Sequence, residues 1–190
     1  MGISTAPDEY QACMEKTFGD LDFVVVYLDD ILVYSSSEKT HLKHLGIVFK
    51  RLKKYDVTLN GKKCHILRES VDYLGFTLTS EGIQPQQTKI QEIQQIAVPK
   101  TRKELRRFLG MINYYRDMVP HKTTSCQPLN RFTSAKIPLE WIPSDTKAFH
   151  AVQKAFAQAV LLAFSDFEQP FHVYADARGK QIGGIIMQRN

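Results

Sequence analysis

Two carboxylates stand side by side at Asp29 and Asp30, inside a run that is otherwise apolar, with Phe23-Val24-Val25-Val26-Tyr27-Leu28 before them and Ile31-Leu32-Val33-Tyr34 after. If the preceding strand is buried on both sides, two adjacent ionised groups are costly unless something cationic compensates them. Hard oxygen ligands suit Mg²⁺, and a pair of such ions can clamp the attacking and leaving oxygens of a phosphoryl transfer. A polar turn accounts for the same two residues, since Asp is common in hairpin loops. A second cluster is basic: Lys100, Arg102, Lys103, Arg106 and Arg107 crowd the start of one helix. A nucleic-acid backbone would match that charge, and a solvated helix face would also carry it. Cations at a helix N-terminus oppose its dipole, which favours a functional reason.

The elements that must position these groups follow from periodicity. Residues Pro7 to Phe18 suggest a short helix ending near Gly19, and Phe23 to Tyr27 a buried strand. The carboxylates then fall at or beside the tip of a tight hairpin whose second strand is Ile31 to Tyr34. From Glu38 to Tyr55, Leu42, Leu45, Val48, Phe49 and Leu52 recur at helical spacing, with Lys43, Lys50, Lys53 and Lys54 off that face. Val57 to Leu59, His65 to Leu67 and Val71 to Thr79 read as strands, separated by Asn60-Gly61 and closed by Ser80-Glu81-Gly82. Ile90, Ile93 and Ile96 mark a short helix stopped by Pro99. Thr101 and Glu104 form a capping box for the next helix, with Leu105, Phe108, Leu109 and Ile112 inward, Tyr114, Tyr115 and Arg116 along it, and Pro120 closing it. His121 to Pro138 is a looser connector. A helix from about Ser144 to Ala159 turns Phe149, Val152 and Phe156 inward, and strands at Phe171 to Ala175 and Ile182 to Gln188 complete the chain.

Bulk properties set the bounds. With 190 residues, 43% of them hydrophobic, the chain holds one generous domain or two small ones and is not disordered as a whole. A formal charge of +5 and a pI near 9.0 permit a polyanionic partner without requiring one. Cys13, Cys64 and Cys126 lie far apart, which argues against a disulfide framework or zinc finger and suits a reducing intracellular setting, cytoplasmic and nuclear being indistinguishable. No run of 18 or more apolar residues occurs, so no membrane partner is expected.

The ordered motifs together resemble the reverse transcriptases of gypsy-type long-terminal-repeat retrotransposons. Tyr27-Leu28-Asp29-Asp30 is similar to that family's Tyr-x-Asp-Asp hairpin. Upstream, Gly2-Ile3-Ser4-Thr5-Ala6-Pro7 through Tyr10-Gln11 resembles its G-x-x-x-A-P-x-x-F-Q element, with Tyr10 where Phe is usual. Leu59-Asn60-Gly61-Lys62-Lys63-Cys64 resembles L-N-x-x-K-C, and Tyr73-Leu74-Gly75-Phe76 the primer grip. Phe108-Leu109-Gly110 with Asn113-Tyr114-Tyr115-Arg116 is similar to the thumb motif, and Phe171 to Ala177 to the first strand of the ribonuclease H domain.

The resemblance implies an α+β fold: a partial polymerase palm over residues 1–83, thumb helices over 84–120, a connector over 121–160, and the incomplete start of a ribonuclease H-like α/β domain over 161–190. It implies that Asp29 and Asp30 are two of three palm carboxylates binding two Mg²⁺ ions. Gly2, Pro7, Gln11 and Tyr27 would lie beside the deoxynucleoside triphosphate and template. Lys63 would donate a proton to leaving pyrophosphate, an ammonium being able to neutralise that charge; a solvated turn lysine is the other reading. Gly75 would let the backbone approach the primer, or be a simple strand irregularity. The five cations Lys100, Arg102, Lys103, Arg106 and Arg107 would track the template-primer duplex. Asp176 would bind metal, although Arg178 two places on would compete for it.

In this family the first palm carboxylate and the basic fingers precede the segment present here. The expectation is therefore a polymerase piece of negligible activity alone, with weak metal affinity. The alternatives are a non-catalytic nucleic-acid-binding remnant and a truncated gene product without function. Whether a complementing fragment or a second copy completes it is open at this level.

Overall fold

A computed structural model of the chain describes residues 5–178 and 181–188, with the backbone alone described at 176–178, 181–183 and 185. These residues gather into two units, Met1–Leu74 and Gly75–Asn190.

The first unit builds a two-stranded ribbon against two helices. Helix α1 (Ala6–Phe18) begins with Pro7 in its first turn, where a missing N–H costs nothing. Strands β1 (Val24–Tyr27) and β2 (Asp30–Val33) pair antiparallel with Tyr27 opposite Asp30, leaving Leu28-Asp29 as the turn. Helix α2 (Glu38–Lys54) starts at Ser37, whose hydroxyl accepts from the Thr40 amide at 3.3 Å. Met14 and Phe18 of α1 meet Val48 and Leu52 of α2, and Val24, Val26, Ile31 and Val33 pack onto them. Arg51 of α2 donates to the Thr17 carbonyl at 2.6 Å and pairs with Asp20, tying the two helices.

Three expectations need correcting here. The β1 strand is not buried on both sides: Val24 and Val26 face the helices while Val25 and Tyr27 are exposed, because a two-stranded ribbon is covered by α1 and α2 on one face only. On α2, Leu42 and Phe49 lie exposed at the border of the buried stripe, and Val48 and Leu52 carry the core. Residues 57–59 and 65–67 are not strands. A 3-10 turn at Gly61–Lys63 occupies that region instead, with the Asn60 side chain accepting from the Lys62 amide at 3.1 Å.

The expected strand from Val71 to Thr79 breaks into β3 (Val71–Tyr73) and β4 (Phe76–Leu78), because Leu74 and Gly75 take φ values of 49° and 84°. In the second unit β4 pairs antiparallel with β5 (Gly82–Pro85), and β5 with β6 (Leu162–Ala163). Helices α3 (Gln87–Gln94), α4 (Arg102–Tyr114), α5 (Lys122–Asn130) and α6 (Pro143–Ala157) enclose one core. Leu105, Phe108 and Ile112 from α4, Leu129 from α5 and Phe149, Val152 and Phe156 from α6 are its fully buried centre. The α4 helix ends at Tyr114, so Tyr115 is its cap and Arg116 lies beyond it.

The stretch read as a loose connector is helical at α5. Pro128 and a polar composition hide the pattern, yet Cys126, Leu129 and Phe132 are buried. Buried polar groups hold the frame. Gln153 (6% exposed) turns its amide Nε2 onto the carbonyls of Ile93, Gln94 and Ile96 at 2.9, 3.1 and 2.9 Å, closing the end of α3. Asp145 accepts from Arg131 at 2.6 Å and from the Ile142 amide at 3.2 Å. A last antiparallel hairpin pairs β7 (His172–Arg178) with β8 (Gln181–Met187).

Candidate functional site

Asp29 and Asp30 are both exposed, Asp29 in the turn and Asp30 at the first position of β2. Burial therefore places no penalty on their charge, and that part of the case for a compensating cation falls away. What remains is placement: two adjacent carboxylates project from the tip of a ribbon, open to a ligand. Their oxygens are of the type Mg²⁺ takes. Among the described residues no group of three His, Cys, Asp or Glu side chains forms a metal cluster, and these two carboxylates stand without a third ligand of that kind.

The turn that carries them is held from a distance. Leu28 sits at φ 49°, a left-handed conformation that costs a non-glycine residue about 1 kcal/mol. Gln11 of α1 compensates: its Oε1 accepts from the Leu28 amide at 2.7 Å, and its Nε2 donates to the Val26 carbonyl at 3.1 Å and to Glu15 at 2.8 Å. The side chain expected beside nucleotide and template thus has its amide engaged with the hairpin backbone. Tyr27 is exposed on the face away from α1 and α2, and Pro7 is exposed at the start of α1. Gly2 lies outside the described residues.

Tyr73 joins this group. Its hydroxyl is buried and meets no hydrogen-bond partner among the described residues. Burial above all, then the Asp30 carboxylate and Tyr27, push its ionisation upward, so it stays a neutral phenol. Sequence reasoning assigned Tyr73 to a separate motif and gave no sign that it shares surroundings with Asp30. Lys63 is exposed in the 3-10 turn. Gly75 has a reason within its own unit: Tyr115 donates its hydroxyl to the Gly75 carbonyl at 3.0 Å, and a Cβ there would lie 2.9 Å from the same oxygen. Phe76 stacks on Tyr114 with ring centroids 5.2 Å apart and meets Tyr115 edge-on at 5.1 Å.

The basic helix start divides in two. Arg102 donates to the carbonyls of Phe132 and Ile137, and Arg106 to that of Thr133, so both guanidinium groups bind the chain's own loop after α5. Lys100, Lys103 and Arg107 are exposed, and their side chains make no hydrogen bond or ion pair among the described residues. The expected capping box is present with a variation: Thr101 accepts from the Glu104 amide at 3.2 Å, and Glu104 reaches back one residue further, to the Lys100 amide at 2.8 Å. That backbone N–H, first among several causes, holds the Glu104 carboxyl below its usual range. The acidic partner thereby offsets the crowding of cations at the helix start. Asp176 lies in β7 opposite Gly183, and its side chain is outside the described residues.

Comparison with known proteins places these features. The family model described as reverse transcriptase (RNA-dependent DNA polymerase) matches residues 1–78, and that of the RNase H-like domain found in reverse transcriptase matches residues 141–190. The second match begins ahead of α6, in the stretch assigned above to the connector. The Tf2-3 and Tf2-7 transposon polyproteins of Schizosaccharomyces pombe are 32% and 31% identical over the whole of this chain, which spans 14% of their length. Among solved structures, the foamy viral protease-reverse transcriptase in complex with double-stranded DNA superposes with a TM-score of 0.83 at 27% identity, over 99% of this chain and 43% of that one. The same viral protein with an RNA/DNA hybrid gives 0.80 at 26% identity, over 99% of this chain and 28% of that one.

Proposed function

Because this chain belongs to the reverse transcriptase family of retrotransposon polyproteins, reaching into the associated ribonuclease H-like domain, we propose that it serves RNA-directed DNA synthesis on a template-primer duplex. The observation that carries this reading is the hairpin tip, where Asp29 and Asp30 stand exposed on a turn fixed by Gln11. Asp29 is the firmer ligand for Mg²⁺, with Asp30 beside it at the primer end. Bound there, Mg²⁺ would neutralise charge developing on phosphate oxygens. Gln11 holds the turn, Tyr73 keeps a neutral hydroxyl behind Asp30, and Lys63 is the candidate donor to leaving pyrophosphate. Lys100, Lys103 and Arg107 meet the duplex backbone by charge, a role supported by the duplexes bound to the foamy viral relatives.

With two carboxylates and no third among the described residues, metal affinity is weak and the chain alone does not extend a primer. The test is Mn²⁺ line broadening at residues 27–31 alongside primer extension on primed RNA with deoxynucleoside triphosphates, for the chain and its Asp29→Asn, Asp30→Asn double variant. Broadening confined to the unaltered chain, with salt-sensitive duplex binding, supports the proposal. Absence of both sinks it. Extension that the double variant abolishes would overturn the claim of inactivity. A second reading, duplex binding without chemistry, is favoured by the outward Lys103 and Arg107 alone, and predicts duplex binding with no metal effect at the hairpin.

A further inference from the structure

One face of α2 takes no part in packing the hairpin. Lys39, Lys43, Lys50 and Lys54 are all exposed and follow one another at steps of four, seven and four residues. At ~3.6 residues per turn they line up within about 60° of arc. Val48 and Leu52, which carry the core, lie on the opposite side of the helix. Lys53 adds another exposed cation at the edge of this stripe. Glu38 is the sole acid of α2, and none of these ammonium groups makes a hydrogen bond or ion pair among the described residues. A merely solvated helix face interleaves acids with its lysines, because like charges three or four residues apart are destabilising. Here Lys39 stands a turn from Lys43, and Lys50 a turn from both Lys53 and Lys54, with no acid between them. Apolar and aromatic surface borders the stripe. Leu42 is 54% and Phe49 43% exposed along its Lys53 side, and at its far end Lys54 Nζ lies 5.3 Å from the ring centroid of Tyr55, itself 50% exposed.

We propose that this face of α2 is a track for single-stranded nucleic acid, with phosphates on the lysine stripe and unpaired bases against Phe49 and Tyr55. From Lys39 to Lys54 the helix runs about 22 Å, long enough to meet several successive phosphates of one strand. Charge complementarity selects a polyanion, and the exposed rings select its state. A duplex keeps its base faces stacked inside and offers the rings nothing, whereas every unpaired base has a π-face to lay on them. Lysines are point charges on flexible stems, so the contact follows the backbone without reading sequence. The track belongs to the first unit and shares no residue with Lys103 and Arg107 of α4, to which duplex binding is assigned above, so the two readings stand or fall independently.

The experiment measures binding of a labelled oligothymidylate of about 12 nucleotides, within the usual reach of one single-strand site, to the full chain carrying Lys103→Ala and Arg107→Ala, over a range of salt. Adding Lys43→Gln with Lys50→Gln should lower the slope of log binding constant against log salt by about 1.4, roughly 0.7 for each phosphate contact on a single strand. Phe49→Ala should weaken binding roughly fivefold or more with the slope unchanged, and Phe49→Tyr should restore it, since stacking needs the ring and not its charge. Melting temperatures close to that of the parent exclude unfolding as the cause; where Phe49→Ala lowers the melting temperature, the lysine pair and Phe49→Tyr decide. A salt slope indifferent to the lysine pair overturns the proposal. So does duplex DNA of the same length bound as tightly as the single strand with Phe49→Ala without effect, which leaves charge alone. Binding of polyglutamate or of phosphatidylserine vesicles through the same lysines, with the oligothymidylate unbound, assigns the face to an acidic protein or a membrane instead and likewise overturns it.

Discussion

The side-chain amide of Gln11 spans the left-handed turn at Leu28, accepting from the Leu28 amide at 2.7 Å and donating to the Val26 carbonyl at 3.1 Å. An α1 side chain therefore sets where Asp29 and Asp30 point. Gln11→Leu removes both bonds and should destabilise the chain by about 2 kcal/mol, the usual toll of stranding partly buried backbone groups. Leu28→Gly relieves the positive φ and should recover about half of that loss. Denaturant midpoints of the single and double variants, with hydrogen exchange at the residue 28 amide, check both. Slow exchange at that amide in Gln11→Leu would contradict the account.

The two kinds of cation on α4 should separate cleanly. Lys103→Ala with Arg107→Ala should lower the slope of log binding constant against log salt by roughly 2 on duplex DNA while leaving the melting temperature unchanged. Arg102→Ala with Arg106→Ala should instead lower the melting temperature, because their guanidinium groups satisfy the carbonyls of Phe132, Ile137 and Thr133. Equal salt slopes for both pairs would refute the division.

Gly75→Ala meets two obstacles, a φ of 84° and the Tyr115 hydroxyl 2.9 Å from the new Cβ. A cost of about 1–3 kcal/mol is expected. Tyr115→Phe removes the oxygen but not the backbone strain. The double variant should therefore lose less than the sum of the singles, and strict additivity would show that the close approach is unimportant.

Gln153→Leu keeps the volume in the core and removes the side-chain donor to the carbonyls of Gln94 and Ile96, and to that of Ile93, which keeps the Ile96 amide at 3.3 Å. A loss of about 2–3 kcal/mol in urea unfolding is expected. Gln153→Glu should also fail, since a carboxylate accepts and cannot donate to three carbonyls.

Acid sensitivity follows from two depressed carboxyls. The side-chain hydrogen bond from Arg51 holds Asp20 down, and the Lys100 amide holds Glu104 down. Each contributes stability above its ordinary ionisation range and loses it as pH falls through the depressed value. The gap in urea midpoint between the unaltered chain and Asp20→Asn should be widest near neutrality and close in acid. A gap that persists in strong acid would assign Asp20 a role independent of charge.

Local signals carried the reading far. An apolar run broken by Asp29-Asp30 located the hairpin, Thr101 and Glu104 located α4, and the spacing of Phe149, Val152 and Phe156 located α6, because each depends on neighbours in sequence. What escaped depends on distance. Gln11 meets the hairpin across 15 to 17 residues, and only its place in a family motif marked it. The splitting of the basic cluster could not be read from charge, since the carbonyls that take Arg102 and Arg106 lie some thirty residues on. Pro128 concealed α5, whose burial of Cys126 and Leu129 is a tertiary fact. The exposed side of β1 was missed because a run of valines looks alike whether one face or both are covered.

Gly82 is packed so closely on β6 that a Cβ would collide with the Leu162 carbonyl. In order of synthesis, that contact is late. The β5 edge leaves the ribosome roughly eighty residues before Ala163, which pairs with Gly82, and at ~5–20 residues per second its row of amides and carbonyls waits several seconds for a partner. The Gln11-braced hairpin closes within the first thirty residues or so and needs nothing downstream for its own bonds. Translation thus delivers a finished acidic tip while the sheet of the second unit still shows a bare edge, the interval in which a chaperone, or mispairing with a stray strand, has its opening.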